Sequence, residues 1–142
     1  MAFFIFIQPM EPEKDLATLL KGLSPILNEG EYAFCCLPSI NDLDVSMIIG
    51  LFREEEGWTI VLKKAYADEL GYAYSYIASW ITLTVKSSLE AVGLTAALST
   101  ALAKRSISCN VFAAYHHDHI FVAKKDAERA LDALKQLATV NL

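Results

Sequence analysis

ITLTVKSSLEAVGLTAALSTALAKRSISCNVFAAYHHDHIFV, residues 81–122, is the stretch that decides the fold. Its first five residues alternate. Ile81, Leu83 and Val85 point one way and Thr82 and Thr84 the other, which is the period of a half-buried strand. The stretch closes with two more strand-like runs, 107–114 and 120–122, around the polar group His116-His117-Asp118-His119. Between them lies an alanine- and leucine-rich segment whose Leu94, Leu98, Ala101 and Leu102 make a helical stripe. Strand, helix, strand, strand is most of a βαββαβ unit. A last helix follows, capped by Asp126, with Ala127, Ala130, Leu131, Leu134 and Leu137 at a 3.6 period. Residues 140–142 are too short to close the sheet, so the fourth strand must be borrowed from the first half or from a partner.

The helix start inside this stretch has two readings. Ser87-Ser88-Leu89-Glu90 fits a capping box, with Ser87 as cap and Glu90 reaching back. Gly93 is a poor residue for a helix interior, so the helix can instead begin near Gly93 and leave 87–92 as a loop with free backbone N–H groups.

Outward from there, the first half reads as what completes or repeats the unit. Residues 1–7 are a run of Phe and Ile that predicts a strand or an ordered arm. Pro12 can open a short helix with Leu16, Leu19, Leu20 and Leu23 at helical spacing, ended by Gly22, Ser24 and Pro25. Asn28-Glu29-Gly30 is turn chemistry, and 32–37 is an apolar strand stopped by Pro38. Residues 47–52 and 58–62 flank Glu54-Glu55-Glu56-Gly57 and predict a hairpin. Its three glutamates read as a solvated edge that discourages aggregation. A helix over 65–70 ends at Gly71, the position of a left-handed cap. Tyr72, Tyr74, Tyr76 and Trp80 then bridge the halves, with no linker rich in Pro, Gly or Ser.

The totals bound the function. With 54% hydrophobic and 20% charged residues in 142, a folded core is expected rather than disorder. A net charge of −5 argues against a nucleic-acid partner, because no basic stripe exists to release counterions. No run approaches the roughly 20 apolar residues of a membrane span, and no signal peptide is evident. Cys35, Cys36 and Cys109 read as buried small hydrophobes in a reducing compartment. A cytoplasmic protein without cofactor is the expectation.

The order of elements in the second half, with Gly93 after its first strand and a polar corner at 115–119, resembles an ACT domain. The chain as a whole is similar to small bacterial tandem-ACT proteins, through 81–103, 107–122 and the hairpin LFREEEGWTIVL at 51–62. In arrangement it is also similar to the cytosolic arginine-sensing proteins of animals. The resemblance implies an α+β fold of two ferredoxin-like, ACT-type units, 1–76 and 77–142, packed side by side and exchanging strands around 74–85. It also implies a regulatory amino-acid-binding module rather than an enzyme, with the ligand at a boundary between units.

The residues agree with such a site. Backbone N–H groups around Val92, Gly93 and Leu94 can hold a carboxylate at a helix N-terminus. The Ser87 and Ser88 hydroxyls can donate or accept. Asn110, Val111, Phe112 and Ala113 form the opposing wall, and Asp118 can meet a cationic group. A purely structural alternative stands beside these: Ser87 and Glu90 as a helix cap, Gly93 as a packing position.

Two other function classes remain in view. One is a metal-dependent or thiol enzyme using His116, His117, Asp118 and His119, since imidazole and carboxylate are good zinc or nickel ligands. Strand alternation lets at most two of those histidines point the same way. A Cys109–His117 pair is blunted by the apolar run around the thiol. No G-x-S-x-G, phosphate loop or H-E-x-x-H occurs, so no catalytic or metal residue is assigned. The other class is an interaction module whose sheet edges only pair with a partner. The high apolar content and the unfilled sheet edge lead to the expectation of a two-fold homodimer, weakened by deletion of residues 1–8.

Overall fold

The computed structural model describes residues 12–139. The strand or arm expected at residues 1–7, the effect of deleting 1–8, and the tail at 140–142 lie outside the described residues. In chain order the elements are α1 (Leu16–Lys21), β1 (Pro25–Leu27), β2 (Tyr32–Leu37), β3 (Ile48–Arg53), β4 (Trp58–Lys63), α2 (Lys64–Leu70), β5 (Ile77–Leu83), α3 (Leu94–Ala103), β6 (Asn110–Ala113), β7 (Asp118–Ala123) and α4 (Ala127–Leu137). All seven strands belong to one antiparallel sheet of order β3-β4-β2-β5-β7-β6, with β1 paired to β5.

Two βαββαβ sheets are fused in that order, and they share β5. Its start serves the first unit, where Ala78 and Ile77 face Tyr32 and Ala33. Its end serves the second, where Leu83, Thr82 and Ile81 face Pro25, Ile26 and Leu27. The borrowed fourth strand of the second unit is therefore β1, from the first half of the same chain. Exchange around residues 74–85 is thus realised by one strand working for two units. In the first unit the helix between its first two strands is reduced to a 3-10 turn at Val45–Met47.

The missed strand and the misplaced helix start each turn on a proline. Pro25 reads as a helix stop in the sequence, and three residues are too few for an alternation to register. A proline is nonetheless tolerated as the first residue of a strand. Helix α1 begins at Leu16 rather than at Pro12, because the Asp15 carboxylate accepts from the Thr18 N–H at 3.0 Å and supplies the cap. The other expected elements stand within a few residues of their predicted bounds, β2 and the β3–β4 hairpin among them. Asp126 occupies the cap position of α4, but its side chain takes Arg129 Nη1 at 2.8 Å instead of a backbone N–H.

Both faces of the sheet are covered, which explains the unbroken apolar run Ile60-Val61-Leu62 in β4, each residue 0% exposed. Ile60 and Leu62 join Ala33, Cys35, Leu43 and Ala67 beneath α2. Val61 faces the other way, toward Tyr32, Ala78 and Phe121. In the second unit Leu98, Leu102 and Leu134 of the helices meet Ile81, Leu83, Ile120 and Val122, with Leu19 and Leu20 of α1 in the same core. Each such fully buried side chain is worth about 1.5–3 kcal/mol. The sheet curls so that Phe34 of β2 lies 5.4 Å from Phe121 of β7 and 6.2 Å from Phe112 of β6, centroid to centroid. An aromatic layer thus fills the concave side, and the helices cover the convex one.

Cys35 is buried, Cys109 half-buried and Cys36 exposed, all as free thiols. The expectation of burial fails for Cys36 because strand alternation turns it away from the α2 core that holds Cys35. Burial pushes the Cys35 and Cys109 thiols up.

The hairpin turn carries a prediction. Gly57 has φ +145°, and a Cβ there would stand 2.6 Å from the Leu37 carbonyl oxygen. Gly57→Ala should therefore destabilise by roughly 1–3 kcal/mol, read as a lower urea midpoint. An unchanged midpoint would mean that the turn relaxes at no cost.

Candidate functional site

After Leu83 the chain leaves the sheet, and residues 84–93 cross to α3. Thr84 is tied back by its N–H and its hydroxyl to the Ser24 carbonyl, at 3.1 and 3.0 Å. Ser88 then turns the chain: its hydroxyl accepts from the Glu90 N–H at 3.1 Å and its carbonyl from the Ala91 N–H at 3.0 Å. Gly93, at φ +98°, takes the left-handed conformation that aims the chain into α3. The second of the two helix-start readings is the one realised. Ser87 and Glu90 do not cap, and among the described residues no side chain caps α3, which leaves its first-turn N–H groups facing this loop.

Ser87 is instead turned inward, 7% exposed, and its hydroxyl donates to Asp118 Oδ2 at 3.0 Å. Asp118, 5% exposed, opens β7 on the helix-covered face of the sheet. The pair lies in a cavity of about 60 Å³ lined also by Ser88, Leu89, Ala91, Leu94, Thr95 and Ala113. A buried acceptor and an uncapped helix N-terminus thus share one cavity wall. Its two ends favour opposite charges, a cation beside Asp118 and an anion beside the α3 N–H groups.

The anticipated residues divide between this cavity and its surroundings. Ser87, Ser88, Leu94, Ala113 and Asp118 line it together. Gly93 sits at the α3 cap, while Val92 is 83% exposed at the loop's outside. The Asn110 amide donates to the Phe121 carbonyl at 3.4 Å. Val111 packs on the second-unit core and Phe112 on the aromatic layer, because neighbours in a strand take opposite faces. Both also line a groove of about 590 Å³ between β6 and Phe52, Glu54 and Thr59. Leu89 and Ala91 fall within the 87–94 segment expected beside the ligand, whereas Thr95 carries no signal beyond following Gly93 and Leu94. A larger trough of about 760 Å³ between α3 and α4 is lined by Ala96, Ala97, Ala101 and Ala133 together with longer polar side chains such as Lys104 and Gln136. Its Arg105 is spent on Asp132 at 2.9 Å.

The histidines do not converge. Among the described residues no three His, Cys, Asp or Glu side chains are grouped to hold a metal ion. His116 packs edge-on against Tyr115. His119 faces the aromatic layer, where its Nδ1 accepts from Trp80 Nε1–H at 3.0 Å and lies 3.2 Å from Thr82 Oγ1. Asn28 completes this network through its amide, at 2.9 Å from Thr82 Oγ1. An indole nitrogen only donates, so Nδ1 must be unprotonated. Burial, with His117 beside it, holds His119 below its ordinary value near 6.5, against the opposing pull of Asp118. The unfolded chain therefore binds this proton first. Stability from this site is complete above about pH 6.5 and falls as pH drops toward the lowered folded value. The urea midpoint should fall between pH 7.5 and 5.5, and less in His119→Gln. An equal fall in both proteins would exclude His119 as its source.

Among the described residues no helix is long and apolar enough to cross a membrane. A family model described as the ACT domain matches residues 11–79, and a second of the same description matches 75–136. The two matches overlap at the start of β5, the shared strand. A solved structure from Vibrio cholerae, described as a protein of unknown function and possible transport protein, is 48% identical with a TM-score of 0.78. The match covers 88% of this chain and 97% of that one. An Agrobacterium tumefaciens protein is 14% identical with a TM-score of 0.62, over 82% of this chain and 89% of that one. The ligand-free regulatory subunit of aspartate kinase from Thermus thermophilus is 11% identical with a TM-score of 0.59, over 83% and 97%. These last two likenesses concern the fold. No relative was found among curated proteins. ACT domains are regulatory ligand-binding modules, and that broad role falls to this chain. With both halves matched and a 48% identical relative covered almost end to end, the chain belongs to the ACT-domain family as a tandem of two ACT domains.

Proposed function

We propose that this chain is a regulatory protein and not an enzyme, and that it binds a free amino acid at the cavity between Ser87 and Asp118. The observation that carries the reading is the pairing of the uncapped α3 N-terminus with a buried Asp118 in one cavity. A zwitterion needs both. Its carboxylate suits the helix N–H groups, and its ammonium suits the Asp118 carboxylate with the Ser87 hydroxyl. Val92, Gly93 and Leu94 frame the carboxylate end in this reading. Asn110, Val111, Phe112 and Ala113 present the β6 edge toward the boundary with a neighbouring unit.

The division into units 1–76 and 77–142, with β1 lent to the second and the start of β5 lent to the first, is part of the same proposal, as are cytoplasmic location, absence of a nucleic-acid partner and a two-fold homodimer. The dimer is supported by edge strand β3 and its approach, where Val45, Met47, Leu51 and Phe52 are exposed. Light scattering reads the dimer directly, and a monomer of 15.7 kDa would remove it. A thermal-shift panel with the twenty amino acids at millimolar concentration tests the ligand. A binder at 100 times its dissociation constant stabilises by about 2.7 kcal/mol, and a flat panel would remove the amino-acid reading.

A further inference from the structure

Residues 13–16 lie across the loop that closes this cavity. The Glu13 N–H donates to the Lys86 carbonyl at 3.2 Å, and the Ser88 N–H donates to the Glu13 carbonyl at 2.9 Å, a parallel bridge beside Ser87. Lys14 Nζ pairs with Glu90 Oε2 at 2.7 Å. Leu16 rests on the α3 cap, so close that a Cβ on Gly93 would stand 3.0 Å from its Cδ2. The loop is thus fastened at its start, middle and end by one short segment that arrives from the other end of the chain. A cavity of about 60 Å³ holds roughly two waters, far below the roughly 300 Å³ at which small-molecule pockets begin. A molecule larger than that cannot enter while the loop stays where the segment holds it.

We propose that residues 13–16 are a strap that gates the Ser87–Asp118 cavity, so that filling the site and releasing the strap are one event. The proposal rests on the reading of that cavity as the ligand site. Behind the strap lies α1, whose Leu19 and Leu20 are buried in the second-unit core, and behind α1 lies β1, paired to the shared strand β5. Release therefore passes from the site to the segment that joins the two units. Coupling of this kind is reciprocal: whatever loosens the strap strengthens binding, and binding loosens the strap.

The test uses the full chain and the double variant Glu13→Pro/Lys14→Ala. It removes the Glu13 N–H bond to Lys86, the two bonds that Glu13 Oε1 accepts from the Lys14 and Asp15 N–H groups, and the ion pair, while leaving every cavity residue in place. Leu16→Ala is the second variant, should the first fold poorly. Hydrogen exchange at the Ser88 amide is expected to quicken on the order of tenfold in either variant, with the β4 amides unchanged. In the twenty-amino-acid panel, any amino acid that binds the wild type should bind the variants on the order of tenfold more tightly. It should also speed exchange in α1 of the wild type. Affinities equal within about twofold, or Ser88 exchange unaltered, would overturn the gate while the ligand site stood. A flat panel in wild type and variants alike would overturn the ligand reading and the gate with it.

Discussion

Phe121→Ala is expected to cost about 3–5 kcal/mol and to lower the urea midpoint of both units together. Phe121 is 2% exposed, and its ring is the hub of the concave layer. It meets Phe34 at 5.4 Å, Phe112 at 5.6 Å, Trp80 at 6.0 Å and Tyr32 at 6.3 Å. Tyr32 and Phe34 belong to the first unit's sheet and Phe112 to the second's, while Trp80 stands on the strand they share. Truncation removes burial and leaves a void bordered by rigid rings that cannot collapse into it. The lost ring–ring contacts are part of that cost rather than an addition to it. Leu98→Ala is the matched control. Leu98 is 0% exposed but lies wholly in the second-unit core, so its cost of about 2–5 kcal/mol reaches the first unit only through the cooperativity of the whole sheet. Trp80 fluorescence and far-UV circular dichroism should report one coincident transition for Phe121→Ala. Two separated transitions, with only one displaced, would mean that the curled sheet does not join the units into one cooperative body.

That joint is the part of the fold least legible in the sequence. Alternation at 81–85 and the 3.6 period over 127–137 sufficed for the second unit's elements, since each is long enough for its own pattern to register. That the second unit borrows its fourth strand was legible too. Its donor was not: β1 is three residues long, opens on proline and follows a helix, so nothing local separates it from a loop. In the sequence, strand β5 is visible only from Ile81 onward, because Ile77-Ala78-Ser79-Trp80 mixes small and aromatic residues. That mixture is what a strand needs when β2 flanks its start and the aromatic layer covers one face. At the site, Gly93 and Asp118 were found by chemistry. The inward turn of Ser87 was hidden behind a capping-box pattern that its spacing also satisfies. The strap was invisible for a different reason: Glu13 and Ser88 meet through backbone groups, which carry no side-chain signature.

Asp118→Asn should leave the fold standing and remove the response to amino acids. Asparagine keeps the size of the side chain and an oxygen that can still accept from the Ser87 hydroxyl, now 3.0 Å from Asp118 Oδ2. The strand position and the core residues Ile120 and Val122 behind it are therefore undisturbed. What disappears is the charge. A hydrogen bond to a charged group is worth about 1.5–3 kcal/mol, and here the partner group is 5% exposed, so solvent screens it little. An amino acid that shifts the wild-type melting temperature should then bind the variant roughly ten- to a hundredfold more weakly. Ser87→Ala separates the two contributions. It removes a neutral donor, leaves a buried carboxylate without its hydroxyl, and should destabilise the unliganded protein as well as weaken binding. If Asp118→Asn bound the same amino acid as tightly as the wild type, the ammonium would lie elsewhere. The uncapped end of α3 would then have to hold the ligand without a counterpart at Asp118.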